Sequence, residues 1–180
     1  MKFLKILLII LAVLTAIIAI GAEFLPNTYT VSRSTTIKAP DSVVYQNVVD
    51  FNKFLKWNPW SRREPTAVVK VSGEVGSPGH LYQWAGKELG IGHMEIQEAK
   101  PYSDAEIQLT FEEPFKSDAQ NHFTFERVRG GTKVTWTMHD QSDATLDKWM
   151  YLTMDNMMGR DFESGLKNLK EMSEINNEMP

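Results

Sequence analysis

Between residues 29 and 139, apolar and polar side chains alternate with a period of two in one segment after another, and few folds are compatible with that. Successive side chains of an extended strand point to opposite faces, so each segment reads as a strand with one dry face and one wet face. Residues 29–37 are rich in β-branched Thr, Val and Ile, 67–71 are short and β-branched, and 80–85 place Tyr82 and Trp84 on one face. Residues 93–97 set Met94 and Ile96 against His93 and Glu95, and 106–111 set Ile107, Leu109 and Phe111 against Glu106, Gln108 and Thr110. Residues 122–128 repeat the pattern with Phe123 and Phe125, Gly130-Gly131 marks a tight hairpin, and 133–139 answer with Val134, Trp136 and Met138. Such strands, joined by short turns, make an antiparallel sheet with one apolar face.

That face needs a cover. Pro40-Asp41-Ser42 is a helix start, followed at helical spacing by Val43, Val44, Asn47, Val48 and Phe51. A second short helix or turn runs through Phe54-Leu55 to Trp57 and is stopped by Pro59. The long cover comes last. Over 146–172, Met150, Met154, Met157, Met158, Phe162, Leu166 and Leu169 keep i, i+3/i+4 spacing. The expected fold class is α+β, a curved antiparallel sheet around a long C-terminal helix, in one domain over residues 26–180. An apolar content of 42%, with 11% aromatics, is enough for a core and excludes a disordered chain.

Residues 1–25 are a different kind of sequence. Residues 6–22 carry a single polar side chain, Thr15, and Glu23 and Pro26-Asn27 end the run. As a helix these 17 residues rise about 25 Å, at the short end of what crosses a bilayer. Lys2 and Lys5 flank only the N-terminal side, which places the N-terminus in the cytoplasm and the domain on the extracytoplasmic side of the cytoplasmic membrane. Two readings stand: a retained single-pass anchor, or a secretory signal cleaved near the small residues of Ala19-Ile20-Gly21, leaving a secreted or periplasmic domain. Beyond residue 22 there remain 17 basic against 23 acidic residues, a charge of −6, so membrane association would come from the segment and not from attraction to anionic lipid.

The whole chain carries a formal charge of −4, which argues against nucleic acid as a partner. It has no cysteine, which removes disulfide frameworks, Cys-ligated zinc, iron–sulfur clusters and thiol catalysis. No His-Glu-x-x-His, nucleophile elbow or phosphate-cradling glycine loop occurs. His93 and Glu95 share a strand face, but the alternation turns that face away from the core; His139-Asp140 ends a strand, and Glu112-Glu113 precede Pro114 in a loop. No catalytic residue, metal site or cofactor is expected. Arg33 is the charged residue that shares parity with Val31 and Ile37, so its guanidinium points inward, where it needs an anion such as a ligand carboxylate or phosphate.

The order of strand, two short helices, six strands and long helix resembles the START-related helix-grip fold, and within it the polyketide cyclase/dehydrase-type branch of the SRPBCC superfamily. The resemblance spans about residues 28–174. It is carried by Ile37-Lys38-Ala39-Pro40, Trp57-Asn58-Pro59-Trp60-Ser61, Gly79 to Tyr82-Gln83-Trp84, Gly90-Ile91-Gly92-His93-Met94, Gly131-Thr132-Lys133-Val134-Thr135-Trp136 and Gly159-Arg160-Asp161-Phe162-Glu163-Ser164-Gly165-Leu166. It implies a hydrophobic cavity between sheet and helix. The residues suit one: Met150, Met154, Met158 and Phe162 on the helix, facing Tyr82, Trp84, Met94, Phe111 and Trp136 on the sheet, with Trp57 and Trp60 as further walls. Methionine repacks around varied apolar guests, and Trp and Tyr offer broad surfaces with one polar handle. Gly159 and Gly165 each weaken the helix by about 1 kcal/mol, offset either by close helix–sheet packing or by room for a ligand.

Three functions compete. The favoured one is a membrane-tethered, non-catalytic carrier or sensor of a hydrophobic or amphipathic small molecule, lipid or polyketide-like. The others are a polyketide cyclase- or dehydratase-like enzyme, and a protein-interaction module like the chaperone activators of the same superfamily.

Overall fold

The alternating segments become seven strands of one antiparallel sheet: β1 (Thr28–Ile37), β2 (Val68–Ser72), β3 (Leu81–Ala85), β4 (Ile91–Lys100), β5 (Asp104–Glu113), β6 (Ser117–Val128) and β7 (Gly131–Gln141). A computed structural model describes residues 2–178, with side chains through residue 175; Met1 of the N-terminal segment and the last two residues of the expected domain lie outside the described residues. The strand order is β1-β7-β6-β5-β4-β3-β2, a meander from β2 to β7 onto which β1 returns. Apolar residues fall on the concave face as the alternation requires, with Val31, Ile96, Ile107, Phe123, Val134 and Trp136 all buried. Two register irregularities in the β4–β5 pair help the sheet curl.

The register decides which strand ends lie together. Thr28 pairs with Gln141, Gln120 with His139, Ser117 with Phe111, Glu113 with Ile91, and Ala85 with Val68. One end of the sheet therefore gathers the start of β1, the end of β7 and the β3–β4 and β5–β6 turns. The other end gathers the β2–β3, β4–β5 and β6–β7 turns.

Three short helices follow β1, where two were expected: α2 (Asp41–Val49), α3 (Phe51–Trp57) and α4 (Pro59–Arg63). Pro59 ends nothing beyond α3; it opens α4, because a proline at the first helical position lacks only an N–H that has no partner there anyway. Asn58 caps α4 by accepting the Ser61 N–H at 2.9 Å. The long helix α5 (Thr145–Glu178) begins near the predicted start and extends beyond the predicted end. It lies across the concave face with Tyr151, Phe162, Leu166 and Leu169 buried against the sheet and α2–α3.

The N-terminal run is a 21-residue helix, α1 (Lys2–Ala22), about 31 Å long and exposed except at its last two residues, with the dimensions and composition of a membrane span or a signal sequence. The one polar side chain of residues 6–22 is satisfied internally, the Thr15 hydroxyl donating to the Leu11 carbonyl at 2.9 Å. α1 meets the domain only through its last turns. The Trp149 indole N–H of α5 donates to the Ile18 carbonyl at 3.1 Å, and the Trp149 ring lies over Gly21, where a Cβ would stand 2.7 Å from it.

Candidate functional site

Inside the grip of sheet and helix is a cavity of about 580 Å³. Its sheet wall is built from the inward parity of five strands: Tyr82 and Trp84 from β3, Met94 from β4, Leu109 and Phe111 from β5, Ala119 from β6 and Met138 from β7. Tyr29 of β1 closes one side. Met154, Met157 and Met158 of α5 form the opposite wall, and Trp60 of α4 completes it. Charged groups stand around this apolar interior: Arg63, Glu88, Arg160 and Asp161.

Seven of the twelve residues expected at the site line it: Trp60, Tyr82, Trp84, Met94, Phe111, Met154 and Met158. Trp57, Trp136 and Phe162 lie beneath it, fully buried in an aromatic cluster that forms solid core. There the Phe162 and Trp136 rings stack at 3.8 Å with a 9° interplanar angle, Phe123 stacks on Trp136 at 5.0 Å, and Trp57 meets Trp136 edge-on at 5.8 Å. Their indoles are satisfied internally, Trp57 donating to the Asn47 carbonyl at 2.7 Å and Trp136 to the Asn121 side chain at 2.8 Å.

Two expected residues stand elsewhere. Met150 is 45% exposed on the outer side of α5, because the inward stripe runs through Tyr151, about 100° further round the helix. Tyr151 packs on Tyr29 and donates its hydroxyl to Asp140 at 2.8 Å. Arg33 points inward as expected, but its anions belong to the chain: Asp155 at 2.9 Å and Glu163 at 2.8 Å, both on α5. It is a strap between β1 and α5, away from the cavity.

The same strap accounts for Gly159, at which an added Cβ would collide with the Arg33 guanidinium. At Gly165 a Cβ would stand 3.0 Å from Trp136 and 3.2 Å from Pro59. Both helix glycines serve close packing; neither borders the cavity.

Polar groups at the cavity are held in fixed states. Burial, reinforced by the charge of Asp140, pushes the Tyr29 phenol far above its ordinary value, and burial raises that of Tyr82, opposed by Ser61. Both hydroxyls stay protonated at physiological pH, so they offer a hydrogen bond and no charge. Asp161 accepts the Trp60 indole N–H at 3.0 Å and two hydrogen bonds from Arg63 at 2.9 and 3.0 Å. Trp84 donates to the Leu89 carbonyl at 3.3 Å.

Sequence reasoning missed Glu64. Its carboxylate accepts the backbone N–H groups of Lys87, Glu88 and Leu89 at 2.7, 3.0 and 2.9 Å, pinning the β3–β4 turn beside the cavity. The Leu89 N–H first, then those of Lys87 and Glu88, hold this carboxyl below its ordinary value. The signal was absent because all three partners lie more than twenty residues away. Tyr29, Leu109, Met138 and Met157 were legible as apolar positions, but nothing in the sequence singled them out as cavity wall, and Ala119 precedes the strand expected over 122–128.

The histidines take no part in the cavity. His93 pairs with Glu112 at 3.3 Å on the outer face. His80, buried beside Phe51, accepts the Phe51 backbone N–H at 3.1 Å and bonds the Ser72 carbonyl at 3.0 Å, tying α3 to the β2–β3 connection. Among the described residues no group of three His, Cys, Asp or Glu side chains could hold a metal ion.

A family model described as polyketide cyclase/dehydrase and lipid transport matches residues 28–174. The chain belongs to that family. No curated protein sequence matches it. Solved structures share the helix-grip fold of this polyketide cyclase/dehydrase and lipid transport member at low identity. Protein CV1439 from Chromobacterium violaceum is 16% identical with a TM-score of 0.59, over 81% of this chain and 96% of that one. The Aha1 dimer from Colwellia psychrerythraea is 19% identical with a TM-score of 0.55, over 78% and 96%. The di-domain ARO/CYC StfQ from the steffimycin biosynthetic pathway is 10% identical with a TM-score of 0.59, over 83% of this chain and 51% of that one. At such identities the likeness establishes the fold and says nothing of a shared activity.

Proposed function

We propose that this chain is a non-catalytic binding protein for a hydrophobic or amphipathic small molecule, a lipid or a polyketide-like compound, tethered by α1 with its domain on the extracytoplasmic side of the cytoplasmic membrane. The observation that carries the reading is the cavity itself: about 580 Å³, within the range of small-molecule sites, with an apolar interior and charges around it. Apolar burial contributes about 0.8 kcal/mol per methylene, so ten methylenes give about 8 kcal/mol before association and ordering costs, and binding settles in the micromolar range. Three methionines on the α5 wall let the site accept varied apolar shapes. The phenols keep their protons, and Asp161 is bound by Trp60 and Arg63, so the wall is equipped to orient an amphiphile more than to move a proton.

Native mass spectrometry of the full chain in mild detergent tests the proposal, together with titration by a fluorescent fatty acid. A co-purifying apolar molecule, or saturable uptake of the fatty acid, is the expected result. No bound molecule and no uptake would remove the reading and leave a protein-interaction role of the Aha1 kind as the better one.

A further inference from the structure

The cavity and the membrane helix meet at the same end of the sheet. α1 enters at Thr28, and the strand register puts Phe111, Ser117 and the β3–β4 turn with Leu89 at that end, all of them cavity residues. Large exposed apolar side chains gather there too: Phe24 at 85% exposure, Phe115 at 81%, Leu146 at 74% and Met157 at 60%. Phe115 sits in the β5–β6 turn immediately before Ser117, and Met157 is part of the cavity wall itself. Isolated exposed apolar residues are ordinary; several around one opening mark a contact surface.

The orientation of α5 relative to α1 links these residues to lipid. Trp149, bonded to the Ile18 carbonyl with its ring over Gly21, clamps the first turns of α5 onto the last turns of the apolar helix. Tryptophan at the end of a span sits at headgroup level, where its ring is buried and its N–H is satisfied. On α5, Leu146, Trp149, Met150 and Met157 share one stripe by their i, i+3, i+4 and i+11 spacing, and all four are exposed. The stripe thus continues the lipid-facing surface of α1 up to the cavity.

We infer that this end of the domain rests on the bilayer, with Phe24, Phe115, Leu146 and Met157 entering the interface, and that the cavity opens onto the adjoining leaflet, so that an amphiphile passes between leaflet and cavity without crossing bulk water. The inference rests on α1 being retained as a membrane span. Apolar insertion next to the anchor holds the surface down, since the domain's charge of −6 gives anionic lipid no attraction for it.

The absence of cysteine makes the test direct. Single-cysteine variants of the full chain, L11C, F115C, M157C, V75C and V128C, are labelled with an environment-sensitive fluorophore and placed in phosphatidylcholine nanodiscs carrying doxyl-labelled lipid. The expected result is blue-shifted, strongly quenched emission at 11, 115 and 157, and water-like, unquenched emission at 75 and 128, which lie at the opposite end of the sheet. Quenching at 11 with water-like emission at 115 and 157 overturns the docking while leaving the anchor in place. Quenching at 75 or 128 in place of 115 and 157 overturns it as well. Water-like emission at 11 overturns the anchor, and the docking with it.

Discussion

The interior of this domain has two halves that look alike in composition and behave differently. Toward the β6–β7 hairpin, the inward residues Phe123, Phe125 and Trp136 meet Tyr45 of α2, Trp57 of α3 and Phe162 of α5, and all of them are buried. Toward α1, the same sheet presents Tyr82, Trp84, Met94 and Phe111, yet α5 answers with Met154, Met157 and Met158, β6 contributes only the small side chains of Ser117 and Ala119, and a cavity remains. An apolar face becomes core or binding site according to what covers it. Where aromatic residues of α2, α3 and α5 press onto the sheet there is core; where the cover is flexible methionine and β6 offers only Ser117 and Ala119, there is room.

Breaking the full half carries the largest expected effect. Trp136→Ala removes a fully buried ring, opens a cavity and strips Asn121 of its donor, and should cost about 3–5 kcal/mol in denaturant unfolding. Gly165→Leu belongs to the same half, since its side chain would drive into Trp136 and Pro59. Overpacking there should cost about 1–3 kcal/mol or more, and ligand uptake should fall only as far as folding does.

Filling the hollow half should invert that pattern. Ala119→Phe directs a ring into the cavity and should change stability by less than about 1.5 kcal/mol while reducing fluorescent fatty-acid uptake at least about tenfold. Unchanged uptake in a folded Ala119→Phe protein would mean that the ligand binds somewhere else.

A smaller effect separates the walls from the turn that borders them. Glu64 has a carboxyl pKa below its ordinary value of 4.5 because three backbone N–H groups prefer the ionised form. A carboxyl with a depressed folded pKa contributes stability above the unfolded value and loses it as pH falls through the folded one. Acidification below about pH 4.5 should therefore loosen the β3–β4 turn, and Glu64→Gln should remove that part of the pH dependence. Hydrogen exchange at Lys87, Glu88 and Leu89 as a function of pH reads this directly; an unchanged acid profile in the variant would refute it.

The smallest effect lies outside both halves. His93→Ala, on the outer face beside Glu112, should leave uptake intact and stability within about 0.5 kcal/mol. A marked loss of uptake would place the function on the convex face of the sheet.

Much of the fold was legible because its signals are local. Period-two alternation, a helical stripe of methionines and a 17-residue apolar run each report on neighbours along the chain, and the strands, α1 and α5 follow from them. The family resemblance over residues 28–174 was legible for the same reason. Pro59 does follow the end of α3 as expected, but its second role was missed, because a proline after one helix can also open the next, and only the Asn58 cap reveals α4. Met150 was misplaced because Met150 and Tyr151 both fit an apolar stripe, and the phase of α5 is set by Tyr151 seating on Tyr29 and Asp140.

By itself, the sequence determined which faces are apolar, where the chain turns and that its N-terminus is fit for lipid, since these follow from side-chain spacing along a backbone of known period. Tertiary structure alone decided that Arg33 is neutralised by Asp155 and Glu163, that Gly159 and Gly165 make way for a guanidinium and an indole, that Glu64 holds a turn, and that a cavity remains between the sheet and α5. Each of these joins residues distant along the chain. Charge pairing, steric clearance and empty volume are properties of the space between elements, and no pattern within one element contains them.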